Sequence, residues 1–380
     1  MSELTMGVIA SSHKEHERRV PIHPEHLDRI PSDIRKNLIF EKGFGTPFNM
    51  GDAEIASQVG GMASREEILQ DIGSVILAKP VLSDFQQLRE GGILWGYPHC
   101  AQNSEITQIA IDKKHTLIAF EDMYVWYPDG HPGRHTFYKN NEMAGYCAIM
   151  HALQLKGING HYGNQRKVLI FSFGAVSRGA IYALKSVGFR DITICIQRPD
   201  HMVREEVLDV HYMRIRKGKA NEPRIVVIEH DGSVIPLSDL ISESEIIVNG
   251  IFQDLDDPFD FVTEEEKSIL KKDTLIIDVS CDEGMGFYFA KPTTFDEPII
   301  KVDYINYYAV DHTPSYYWES ASRSISGALI VHLASVVKGR ESWKKNSTIA
   351  KAINIDKGVI QMESILKFQN RNSDYPHKIL

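Results

Sequence analysis

The sharpest hydrophobic pattern in the chain is a short unbroken apolar run, Val168-Leu169-Ile170-Phe171, followed by a glycine turn and then by Ala180, Ala183, Leu184 and Val187 at helical spacing. An uninterrupted run of this length suits a parallel strand buried on both faces, and the helical spacing gives the next segment one apolar face to lay back on the sheet. Gly188 stops that helix, and Ile192 to Ile196 reads as the next strand. Residues 167–200 therefore predict a strand–helix–strand unit of about 30 residues, the usual size of a nucleotide-binding unit. Further strands are expected at Arg224 to Ile228, Ile246 to Asn249 and Thr274 to Val279.

The N-terminal region has the same alternation. Strands are expected at Met6 to Ala10, Leu38 to Glu41, Val75 to Ala78, Ile93 to Tyr97 and Thr116 to Phe120. Between them lie helical patterns near Pro24 to Ile30, after a Ser64/Glu67 capping box, and near Glu105 to Lys113. A turn-rich segment, Tyr127 to Gly133, marks a boundary, and a helix from about Asn141 to Leu155 follows it. Beyond Asp303 two or three helices are expected, beginning within Glu319 to Val337, one of which can cross back to the first domain. The predicted division is 1–136 plus 303–380 for one domain and 137–302 for the other.

Composition narrows the classes. With 380 residues, 43% hydrophobic and 24% charged, the chain can bury large cores. A net charge of -9 argues against general polyanion binding, so no nucleic-acid partner is expected. No apolar stretch approaches the ~18 residues of a membrane span, so no membrane partner is expected either. The opening residues read as a first strand, and Cys100, Cys147, Cys195 and Cys281 form no CxxC pair. Both points suggest reduced thiols in a cytoplasmic protein. His13 with His16, His131 with His135, and the basic run Arg214 to Lys219 are read as solvated loops, and no metal site is expected.

Candidate chemistry collects at strand ends, because ligands of open α/β sheets bind outside the carboxyl ends of the strands. Arg19, Lys79 and His99 each follow a predicted strand of the first region. Arg19 offers a planar fork for a carboxylate, His99 can pass protons near neutral pH, and Lys79 can bind an anion or exchange a proton. Asp282 follows a strand of the second region and could bind an amine or a ribose. The turn Gly174-Ala175-Val176-Ser177 keeps one glycine of the three in a dinucleotide fingerprint, with Gly179 after it. Asn249 and Gly250, at the end of the strand expected from Ile246 to Asn249, complete the candidate cofactor set. The strand ending at Gln197-Arg198 lacks the acid that binds ribose hydroxyls and offers a cation suited to a 2′-phosphate, so NADP(H) is favoured, with NAD(H) possible.

Together these residues resemble the alanine dehydrogenase and saccharopine dehydrogenase superfamily, most closely its carboxyethyl-ornithine synthase branch. The resemblance is carried by Glu17-Arg18-Arg19-Val20-Pro21, Lys79-Pro80, Tyr97 with His99, Phe137-Tyr138-Lys139-Asn140, Ala144-Gly145-Tyr146, Leu275 to Val279, Asp282 with Gly284, Pro292-Thr293-Thr294 and His312-Thr313-Pro314-Ser315. It implies an α/β protein of two Rossmann-like domains, parallel sheets flanked by helices and separated by a cleft, the first domain discontinuous. It further implies that Arg19 and Lys79 hold a 2-oxo acid, that His99 is the acid/base with Lys79 sharing proton transfers, that Asp282 and Tyr97 line the cleft, and that His312 lies in a segment accommodating a second, larger substrate. The implied reaction is reductive condensation of a 2-oxo acid with an amino acid to an opine-type secondary amine, or its reverse, by a homo-oligomer. The alternatives are an ammonia-using amino-acid dehydrogenase and, in another class, a nucleotide-binding sensor without catalysis. The stretch Arg204 to Asp239 looks longer than in that branch and carries no assigned role.

Overall fold

In a computed structural model, which describes residues 3–10, 12–198, 205–229, 231–253 and 257–380, the chain divides into two compact units. One is Met1–Asn140 with Tyr317–Leu380, and the other is Asn141–Tyr316. The sequence boundaries were expected at 136/137 and 302/303.

The first unit is built on an eight-stranded sheet. β1 (Met6–Val8), β2 (Leu38–Glu41), β3 (Gly61–Ala63), β4 (Ser74–Leu77), β5 (Ile93–Gly96) and β6 (Thr116–Ala119) all run parallel. An antiparallel hairpin, β18 (Ile353–Asp356) and β19 (Val359–Ile360), closes the edge beside β6. Alternate side chains enter opposite cores, as the two-residue period of a strand requires. Ile76 and Trp95 join the core that receives Ile325, Leu329 and Leu333 of the Trp318–Val337 helix, whereas Val75 and Leu94 join the core containing Cys100, Ile106 and Ile365. By length and composition the Thr313–Val337 segment would also pass for a membrane span, against the expectation that no stretch came close. Burial of its apolar face in the first unit's core accounts for that composition.

The capping box forms as expected, Ser64 Oγ accepting from Glu67 N at 3.2 Å and Glu67 Oε2 accepting from Ser64 N at 2.7 Å. The segment Tyr127 to Gly133, expected as a boundary loop, lies largely within a hairpin of β7 (Tyr124–Trp126) and β8 (Pro132–His135).

The second unit carries a nine-stranded sheet. β9 (Val168–Phe171), β10 (Ile192–Ile196), β11 (His211–Lys217), β14 (Ile246–Asn249), β15 (Leu275–Asp278) and β17 (Ile305–Tyr308) are mutually parallel. Antiparallel strands β12 (Ile225–Ile228), β13 (Val234–Pro236) and β16 (Ile299–Val302) finish the edges. Two features depart from the sequence reading. Strand β17 lies beyond Asp303, where no strand was expected. Its buried Asn306 hid it, and that side chain is satisfied by Lys156 Nζ at 3.0 Å and Asp273 O at 3.3 Å. The stretch after Arg204, itself outside the described residues, folds as the β11–β12–β13 edge. The basic run expected as a loop is mostly strand β11, where Glu222 pairs bidentately with Arg216 and Asp257 pairs with Lys217.

Candidate functional site

In the first unit, β4 and β5 lie side by side, and their pairing continues past both strands through Tyr97 N to Ala78 O at 3.1 Å. Lys79 and His99, each just past a strand, are thereby brought together, with Lys79 Nζ 2.8 Å from His99 Nε2. A contact of that length needs a lone pair on one nitrogen and a proton on the other, so the two groups share one proton between them. His99 adopts φ +48°, a backbone conformation that few residues other than glycine visit. Its N–H donates to Glu121 Oε1 at 2.7 Å, and the same oxygen lies 3.9 Å from Nδ1. The Tyr97 ring stacks on the imidazole at 5.8 Å, and Lys79 Nζ stands 5.5 Å from the Tyr97 centroid.

Glu121 follows β6 and was not foreseen, although the strand-end rule applied to β6 points to it. Its side chain retains 23% of its surface, yet Oε2 is shut off from solvent and has no hydrogen-bond partner among the described residues. Burial, reinforced by the negative charge of Asp122, pushes the Glu121 carboxyl up to about 8, and burial takes Asp122 to about 6. Burial likewise raises the Tyr97 phenol, which stays neutral.

Arg19 is 3% exposed and held by its own neighbour. Its Nε and Nη2 donate to the two oxygens of Glu17 at 2.8 and 2.5 Å, and Nη1 donates to Asn140 Oδ1 at 3.1 Å. The charge-matched edge of the fork is thus engaged by protein, so Arg19 is fixed in direction before any substrate arrives. Neither Glu17 nor Asn140 was given a role from sequence, although both lie in motifs that carried the resemblance. Arg18 is exposed and stacks on Trp318 at 4.6 Å, whereas Arg323 is paired with both Glu319 and Glu25.

In the second unit, β9 leads through Ser172, at φ +80°, to Gly174, the N-cap of the Ala175–Ser186 helix. Among the described residues no side chain caps this helix, and a Cβ at Gly174 would meet nothing nearer than Ser172 Oγ at 3.8 Å. Gly174 is therefore uncrowded among the described residues, and the helix-start N–H groups of Ala175, Val176 and Ser177 suit a diphosphate. Ser177 itself is fully buried, its hydroxyl 3.4 Å from Phe171 O, so this side chain packs the helix against β9. Gly250 permits close approach, since a Cβ there would stand 2.7 Å from Ser177 Oγ. Gly179 serves helix packing, because its Cβ would fall 1.7 Å from Glu142 O. Gln197 and Arg198 are exposed at the end of β10, beside β9.

Asn249 is buried and organises the turn, accepting from Ile251 N at 3.3 Å and donating to Asp278 Oδ1 at 3.0 Å. Asp278, another strand-end residue not singled out from sequence, also accepts from Tyr307 OH at 2.9 Å and Cys281 N at 3.2 Å. Burial carries Asp278 up to about 7 and the nearby Asp282 up to about 6. His312 lies against Asp311 and the Phe295 ring, 4.5 Å away, in a buried segment where Thr313 Oγ1 donates to Ala144 O at 2.8 Å.

The uncapped helix start behind β9 is one half of the argument for a nicotinamide nucleotide, and comparison with known proteins supplies the other. Residues 7–126 match the N-terminal domain of the alanine dehydrogenase/PNT family, and residues 148–363 match its C-terminal domain. The chain belongs to this family. As a member of the alanine dehydrogenase/PNT family it is a nicotinamide-nucleotide-dependent oxidoreductase. Among its relatives, N(5)-(carboxyethyl)ornithine synthase of Clostridium botulinum is 28% identical over 354 residues, covering 87% of this chain and 94% of that protein. Alanine dehydrogenase of Staphylococcus epidermidis is 24% identical, covering 93% of each. A solved L-alanine dehydrogenase shares the fold, with a TM-score of 0.73 at 15% identity over 96% of this chain and 98% of that one.

Proposed function

We propose that the protein uses NADPH to condense a 2-oxo acid with an amino acid and reduce the resulting imine to an opine-type secondary amine, or runs the reverse. The observation that carries this reading is the Lys79–His99 contact of 2.8 Å, a proton-sharing pair at the strand ends of a family member. Its likeness to proteins named N(5)-(carboxyethyl)ornithine synthase supports the opine-type product.

Each residue has a task in this reading. Arg19, held by Glu17 and Asn140, is directed at the 2-oxo acid carboxylate, with Lys79 at its carbonyl oxygen. As the neutral amine attacks, that oxygen gains a proton from the Lys79–His99 pair; the pair recovers one from the attacking nitrogen and returns it to the hydroxyl, which leaves as water. Glu121, largely uncharged near neutrality, orients His99 from behind. When bound, the nicotinamide supplies the hydride that reduces the imine carbon. The helix start at Ala175 suits the diphosphate, Arg198 the 2′-phosphate, and Asp282 the incoming amine. An amino-acid co-substrate brings a second carboxylate that needs its own cation. Arg18, exposed and stacked on Trp318, fits that task better than Arg323, whose charge is already met by two carboxylates, Glu319 and Glu25, where that of Arg19 is met by one. We place the reaction in the cytoplasm, in keeping with four free thiols.

The test is NADPH oxidation with a panel of 2-oxo acids, each offered with ammonium or with individual amino acids. Turnover with amino acids supports the reading. Turnover with ammonium that no amino acid can replace would establish the amino-acid dehydrogenase alternative instead.

A further inference from the structure

The C-terminal segment reaches the residue beside His99. Gln369, which follows the Glu363–Phe368 helix, donates from Nε2 to Cys100 O at 2.6 Å and approaches Ala101 O and Thr107 Oγ1 at 3.2 Å. Its Oε1 accepts from Arg371 Nε at 2.6 Å. That donor dictates which way the amide faces, since an oxygen turned toward Arg371 leaves the NH2 group toward the carbonyls. Arg371 is 5% exposed and anchored in turn, through Nη1 to Gln108 Oε1 at 2.8 Å and His377 O at 3.0 Å.

We propose that Gln369, oriented by Arg371, is a positioning residue for His99; the inference rests on the acid/base reading of the Lys79–His99 pair. A histidine at φ +48° persists only where its surroundings over-determine the backbone. Here Glu121 takes the His99 N–H, Asn103 N donates to His99 O at 3.0 Å, and the next carbonyl, Cys100 O, receives both Thr107 Oγ1 at 2.9 Å and Gln369 Nε2. Removing the Gln369 donor leaves a buried carbonyl with one partner fewer and lets the following peptide plane rotate. That rotation moves His99 Nε2 relative to Lys79. A displacement of a fraction of an ångström at an acid/base group is enough to cost about tenfold in turnover.

Gln369→Glu is the sharpest variant, because a carboxylate keeps Arg371 as its partner but has no N–H to give Cys100 O. Turnover should fall about tenfold with NADPH affinity unchanged, and the limb of the pH–rate profile that His99→Ala abolishes should shift. The double variant with His99→Ala should be no slower than His99→Ala alone, the non-additivity expected when one residue acts through the other. Gln369→Asn, one methylene too short to reach, carries the same expectations should the glutamate variant fold poorly. Wild-type turnover and pH profile in a folded variant, or losses that multiply in the double variant, would overturn the inference. If His99→Ala loses turnover while Gln369→Glu does not, the positioning role alone is wrong. If His99→Ala keeps turnover, the acid/base reading falls and takes the positioning role with it.

Discussion

The strand ends of the two units follow one architectural rule with opposite chemistry. In the first unit the parallel strands deliver side chains: Arg19 braced by Glu17, Lys79 against His99, and Glu121 behind the imidazole. In the second unit the ends of β9 and β14 deliver backbone and clearance: an uncapped helix start, an uncrowded Gly174, and Gly250 closing against Ser177. Side-chain polar networks suit a reaction whose protons must move, since imidazole and ammonium can exchange them. Backbone N–H groups suit a diphosphate, whose charge only has to be held. Substitutions at the two edges should therefore fail in different assays.

The largest effect is expected at the first edge. His99→Ala should lower turnover about a hundredfold or more, the range for losing a general acid/base, while NADPH affinity measured by fluorescence titration stays near wild type. Near-normal turnover would reduce the Lys79 contact to a structural one.

The second edge divides into glycines that pack and a glycine that leaves room. At Gly179 an added methyl meets the Glu142 carbonyl at 1.7 Å, so Gly179→Ala should cost about 1–3 kcal/mol in urea unfolding, the usual range for overpacking. At Gly174 the backbone is extended and the space open, so Gly174→Ala should fold normally and lose cofactor affinity instead. Weakened folding without weakened binding at Gly174 would contradict the diphosphate assignment. At the far end of the same site, Arg198→Ala should weaken NADPH but not NADH by about tenfold to a hundredfold, one charge-assisted contact.

What the sequence disclosed and what it concealed divide along physical lines. Unbroken apolar runs marked β4, β5, β9, β14 and β15, because both faces of those strands are buried. β11 and β17 escaped because Arg214, Arg216 and Asn306 break the apolar pattern; Arg216 and Asn306 are satisfied by side-chain partners. Strand ends likewise put Lys79 and His99 in view together. Glu121 and Asp278 obey the same rule but look ordinary as letters, since what sets them apart is a burial that raises both carboxyls and that no letter displays. Gln369 could not be found that way at all: it lies 269 residues from Cys100, and only folding makes them neighbours.

Burial of Glu121 gives the smallest and most diagnostic effect. Its carboxyl sits at about 8 in the folded protein, while an unfolded glutamate lies near the ordinary 4.5. Between those values the unfolded chain has released a proton that the folded protein still binds, so this group makes stability fall as pH rises from about 4.5 to 8 and has no further effect above. Glu121→Gln mimics the protonated carboxyl, can still accept from His99 N, and does not titrate. Wild type and variant should be similarly stable near pH 5, and the variant should be the more stable near pH 8. With part of the side chain exposed, relaxation and solvent limit the gap to about 1 kcal/mol, read from urea midpoints at the two pH values. Parallel pH dependence in the two proteins would mean that Glu121 is ionised beside His99, and His99 would then be held by a charge rather than by a neutral acid.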